Sequence, residues 1–101
     1  MLYLEMSRRE YPISLLVNGV QITKVIIDPH YEGSHAESIN DELVLRLVAL
    51  LDGGEYESND EDPPYEYFVS DGLILDDKKY KLIWLLEQDQ IYVGVINAYR
   101  R

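Results

Sequence analysis

The chain contains no cysteine. That excludes a disulfide framework and any thiolate zinc site, and it fits a reducing compartment. Long apolar runs are missing as well: no stretch approaches the roughly 20 residues needed to span a bilayer. The opening residues, MLYLEMSRREYP, lack the continuous apolar segment of a secretory leader. The expectation is a soluble, cytoplasmic protein that does not engage a membrane. Basic residues are scarce, nine Lys and Arg against nineteen Asp and Glu, for a net charge of −10. Duplex DNA is gripped by clustered cations that release counterions, so a chain of this charge is not expected to bind it. Glycine-rich phosphate loops, nucleophile elbows and paired-carboxylate motifs are also absent. No cofactor and no metal site is expected.

What is present suffices for one domain. The 101 residues, 47% hydrophobic, can enclose a single core without covalent staples. Charge is unevenly spread. Residues 28–77 hold fifteen acids and one basic residue, Arg46, for −14, and the remainder holds four acids and eight Lys or Arg, for +4. An acidic middle between mildly basic ends favours solubility or a basic protein partner.

The stretch around which the chain is organised is its last, YKLIWLLEQDQIYVGVINAYRR (80–101). Two apolar runs flank the polar loop Glu87–Gln90, a β-hairpin too apolar for a sheet edge. Trp84 alternates with Leu82 and Leu86, which places it in the core. Gly94, inside a bulky strand, predicts a bulge or a close crossing by a helix. An earlier hairpin spans 13–27, where Asn18-Gly19 is a strong type I′ signal that pairs Val17 with Val20, Leu15 with Ile22 and Ile13 with Lys24. Beyond Lys24 the alternation fails, from burial on both faces or a bulge.

One helix is expected over 41–52, with Asn40 as N-cap, Asp41 and Glu42 in the first turn and Gly53-Gly54 as the stop. Leu43, Val44, Leu47, Val48, Leu50 and Leu51 form its apolar face, with Leu45 out of place. A capping box at Ser34 and Glu37 allows an earlier start. The acid-rich stretch 55–64 reads as a solvated loop. It is followed by a strand at 65–70, a second type I′ turn at Asp71-Gly72, a short strand at 73–75 and a turn at 76–79. The fold class is α+β: a twisted, mostly antiparallel sheet of five to six strands, order ββαββββ, with one helix packed on one face.

Chemistry has few candidates. His30 and His35 are the only histidines. Each reads as a general acid or base, or as a surface residue near the helix entrance, and their spacing matches no specific metal-ligand pattern. Asp60, Glu61 and Asp62 lack the alternation and glycine of a calcium loop. Of nine tyrosines, Tyr65, Tyr67, Tyr80, Tyr92 and Tyr99 fall on expected strands, as a recognition platform or as ordinary strand formers. Asn97, Tyr99, Arg100 and Arg101 end the last strand as an anion site or a frayed tail.

Two pieces, SHAESINDELVLRLVALLDGG (34–54) and the closing hairpin (80–101), resemble small RelE-like and BrnT-like ribonuclease toxins. The resemblance implies a metal-independent RNA endonuclease, with His35 transferring protons and Tyr99 and Arg100 near the phosphate. Against it stand the acidic charge and the leading hairpin. The first expectation is therefore a small acidic interaction module, antitoxin-like or immunity-like, that binds a basic partner through Glu57, Asp60, Glu61 and Asp62. The ribonuclease is the alternative, and a homodimer formed through an exposed strand is a third.

Overall fold

A computed structural model of the chain describes residues 8–28 and 39–101. His30, His35 and the capping box at Ser34 and Glu37 lie outside the described residues. The elements run β1 (Arg9–Val17), β2 (Val20–Ile27), α1 (Asp41–Ala49), β3 (Asp60–Asp62), β4 (Tyr65–Leu75), β5 (Lys78–Glu87) and β6 (Tyr92–Arg100). One six-stranded sheet has the order β1-β2-β6-β5-β4-β3. The closing hairpin thus fills the two central positions, as its apolar character demands. Only β2 and β6 pair in parallel, and every other neighbouring pair is antiparallel. The class is α+β with order ββαββββ.

The first hairpin keeps its Asn18-Gly19 register through Val17–Val20 and Leu15–Ile22, then shifts. Ile13 and Ser14 face Thr23 alone, so Pro12 rather than Ile13 pairs with Lys24. This bulge accounts for the lost alternation: Ile22, Val25 and Ile27 are all buried. Asp71-Gly72 is not a turn. β4 runs unbroken through it, with Gly72 at φ +75° inside a second bulge between Ser70 and Leu73. The reversal comes at Asp76 and Asp77, both at positive φ (53° and 65°), as a type I′ turn requires. The expected loop at 55–64 contains two ordered features: the short edge strand β3, and Tyr56, which reaches the core.

The helix begins as expected. The Asn40 side chain accepts from the Leu43 N–H at 2.8 Å, satisfying one of the four unpaired donors of the first turn. It ends at Ala49, earlier than Asp52, because residues 50–52 tighten into bonds from each N–H to the carbonyl three residues back. Leu50, the C-cap, is exposed, whereas Leu45 is half-buried against the core.

Val44, Leu47, Val48 and Leu51 join one cluster with Leu15, Val17, Ile22, Val25 and Ile27, and with Phe68, Leu82, Trp84, Val93 and Val95 of the inner strands. Trp84 is fully buried, stacked on Phe68 at 4.1 Å between centroids and met edge-on by Tyr56 at 5.4 Å. Its indole N–H donates to the Ser70 hydroxyl at 3.0 Å. Asp41 ties the helix to β1, accepting from Arg9 Nε at 2.6 Å, from Arg9 Nη2 at 3.1 Å and from the Tyr11 hydroxyl. All of this lies on one face of the sheet.

Candidate functional site: the helix-free face

Side chains alternate across a strand, and residues directly opposite one another share a face. The face away from α1 can therefore be read as rows. One runs Asp62, Tyr65, Glu87 across β3, β4 and β5, and continues from Tyr92 to Lys24 and Pro12 across β6, β2 and β1. The next runs Asp60, Tyr67, Leu85, Gly94, Ile26, Glu10. Beyond these lie Val69 with Ile83, and Lys81 with Tyr99. The rings of Tyr65 and Tyr67 are 6.3 Å apart and mutually tilted by 42°. The Lys81 ammonium stands 5.8 Å from the Tyr99 centroid. Tyr65, Tyr67, Tyr92 and Tyr99 are all half-buried, and Val69 and Ile74 are exposed. Tyr80, grouped with these tyrosines by sequence, instead points to the core.

Gly94 leaves a gap in the second row. A Cβ there would sit 2.8 Å from Leu85 Cδ1, so the space over the glycine is taken by a cross-strand side chain and not by a crossing helix. Above it is a recess of about 250 Å³ lined by Tyr65, Tyr67, Tyr92, Leu85, Asp28 and Arg8, among others. The Tyr92 hydroxyl donates to Glu87 Oε1 at 2.5 Å. Burial, and then this carboxylate, push the Tyr92 phenol well above its ordinary pKa. The ring is thereby held neutral and fixed in place.

The expected site residues are not all brought together. Asp60 and Asp62 face the open side beside Tyr67 and Tyr65, whereas Glu61, between them, pairs with Glu66 and faces the helix side. Glu57 lies near the Asn18-Gly19 turn, apart from β3. Tyr99 and Arg100 are consecutive in β6, so their side chains project from opposite faces. They do not converge on one phosphate-sized position, and His35 is outside the described residues. The basic tail is not frayed: the Arg101 N–H donates to the Lys79 carbonyl at 2.7 Å, and its guanidinium meets Asp71 at 3.1 Å. Among the described residues, no group of three or more His, Cys, Asp or Glu is placed to hold a metal ion, and no helix is long and apolar enough to cross a membrane.

The rows were missed from sequence because they depend on register. Asp60 and Asp62 flank Tyr65 and Tyr67 across two prolines, a spacing that gains meaning only once β3 is known to fold back on β4. The protein-family models include none that matches this chain, and neither curated proteins nor solved structures give a significant match.

Proposed function

We propose that this chain is a protein-interaction module that binds a basic segment of a partner protein on the helix-free face of its sheet. The observation that carries this reading is the β3–β4 register, which sets the carboxylates of Asp60 and Asp62 beside the rings of Tyr67 and Tyr65 on one surface. An arginine or lysine laid there meets a carboxylate and an aromatic face together. The net charge of −10 speeds the encounter with such a partner. Exposed ion pairs contribute only about 0–1 kcal/mol each, so the tyrosines supply the contact area that carboxylates alone do not.

Recognition through the sheet face, rather than by adding a strand at its edge, is favoured by the state of both edges. β1 carries Pro12 and a bulge. Its outer end is already bonded, Leu16 N–H to Asp52 at 2.7 Å and Gly53 N–H to the Leu16 carbonyl at 2.7 Å. β3 is three residues long and wholly acidic. Short, charged or proline-bearing edges oppose strand addition, which also weighs against an edge-paired homodimer.

The test is calorimetric titration with a short arginine- and lysine-rich peptide, from about 50 mM to about 300 mM salt. Binding should weaken with salt, and the D60N/D62N variant should lose roughly fivefold or more in affinity. E61Q removes an acid from the same strand but from the other face, and should change affinity less than about twofold. Equal effects of E61Q and D60N/D62N would reduce the interaction to bulk charge. A peptide that fails to bind, or binds regardless of salt, would remove the reading.

A further inference from the structure

We infer that the recess over Gly94 is a pocket for a single side chain and that the chain it takes is an arginine of the basic segment. The inference rests on the binding reading above and adds which residue is read, and where. At about 250 Å³ the recess falls below the roughly 300–1,000 Å³ of small-molecule sites. That is the size of one long side chain.

Its chemistry selects a flat cation. Tyr65, Tyr67 and Tyr92 supply aromatic walls, and Leu85 and Gly94 an apolar floor. A guanidinium is planar, weakly hydrated and stacks on aromatic rings, whereas an ammonium is a compact, strongly hydrated charge. Charge points the same way. Asp28 lines the recess, Glu87 stands beside it through Tyr92, and Asp60 and Asp62 lie one strand outward. A carboxylate has about four lone-pair sites, of which the Tyr92 hydroxyl uses one on Glu87. Against these acids, Arg8 is the cation lining the recess and Lys24, bonded to Glu10 at 3.3 Å, the nearest on the Tyr92 row. One wall is also set in advance: Tyr92 is pinned by Glu87, which lowers the ordering entropy lost on binding.

Gly94 makes the hypothesis testable. An alanine there meets the end of a flexible side chain, Leu85, at 2.8 Å, so G94A displaces Leu85 and narrows the recess. Y67L removes one wall from the open face without touching the buried core. The experiment titrates the isotope-labelled full chain with Nα-acetyl-arginine amide, and separately with the lysine and norleucine counterparts, following amide shifts by NMR. Arginine should give saturable shifts centred on Gly94, with at least about a threefold preference over lysine. Norleucine should not saturate. G94A and Y67L should each weaken arginine binding by at least about threefold, with E61Q unchanged. Equal response to norleucine, shifts centred elsewhere, or undiminished binding by both G94A and Y67L would overturn the pocket. If the basic peptide still binds in a D60N/D62N-sensitive manner while the recess stays silent, the pocket inference falls alone. If the peptide does not bind at all, both fall.

Discussion

Neutralising Asp41 tests how the helix is held to the sheet. Its carboxylate lies in the first turn of α1 and takes a forked pair of bonds from Arg9 (2.6 and 3.1 Å) and one from the Tyr11 hydroxyl. Both donors come from β1, about thirty residues away in the chain, so the contact fixes helix to edge strand. The side chains of Arg9 and Asp41 are 31% and 20% exposed. The ion pair is thus neither a surface contact, worth about 0–1 kcal/mol, nor a dry one. Bonds to a charged group contribute about 1.5–3 kcal/mol when well shielded, and partial solvation lowers that. A carboxylate at a helix N-terminus adds about 0.3–1 kcal/mol. D41N keeps the shape and one acceptor, and should cost about 1–2 kcal/mol. For a domain of this size that lowers the Tm by about 5–15 °C. The assay is urea and thermal unfolding followed by circular dichroism, with E42Q as the control. Glu42 shares the first turn but is exposed and makes no contact with β1, so E42Q should report only the helix dipole and the attraction to Arg46 one turn on, together at most about 1 kcal/mol. A cycle of D41N with Y11F should show the two losses to be less than additive. Equal costs for D41N and E42Q would mean that the contact to β1 contributes nothing, and the reasoning would fail.

Two further outcomes concern the tyrosines and the core. The phenols of Tyr11, Tyr56 and Tyr92 all titrate above their ordinary value: Tyr11 through its bond to Asp41, Tyr56 and Tyr92 chiefly through burial. A raised folded pKa means that the folded state holds protons the unfolded chain releases. Stability is therefore full below about pH 10 and falls as pH rises beyond it, modestly for each group because all three rings stay partly solvated. Urea midpoints measured across that range should drop, and Y11F and Y92F should flatten the drop; parallel curves for wild type and variants would contradict the assignment. Trp84→Phe should cost about 1–3 kcal/mol, since it shrinks a fully buried ring and strands the Ser70 hydroxyl. A midpoint unchanged by that substitution would place Trp84 outside the working core.

How much was legible depended on distance along the chain. The Asn18-Gly19 turn, the Asn40 cap and the central position of the closing hairpin each rest on neighbouring residues: two φ values, one side chain three residues from its acceptor N–H, and an uninterrupted apolar run. All three hold. The errors came where a local signal had two meanings. Asp-Gly at 71–72 satisfies a type I′ turn and a glycine bulge alike, and the choice fell to the bulge because β4 stays paired with β5 on both sides of it. Acid-rich 55–64 reads as solvent-exposed, and most of it is, but Tyr56 turns inward to Trp84 and bonds the Leu51 carbonyl at 2.9 Å. The acids around Tyr56 keep their carboxylates in water while its ring finds an aromatic partner and its hydroxyl a carbonyl, so burial of one residue and exposure of its neighbours do not conflict.

The class of fold, helix α1 and the two strands at the centre of the sheet follow from residues close together in the chain. Periodicity, caps and turn residues act within a few positions, and an apolar run must be covered wherever it lies. The parallel pairing of β2 with β6, the edge strand β3, and which side chains share the open face come from contacts between separate segments of the chain. Those depend on register, where one residue of shift moves a side chain to the opposite surface. That is why Asp60 and Asp62 come to lie beside Tyr67 and Tyr65, and why the glycine at 94 becomes the floor of a recess.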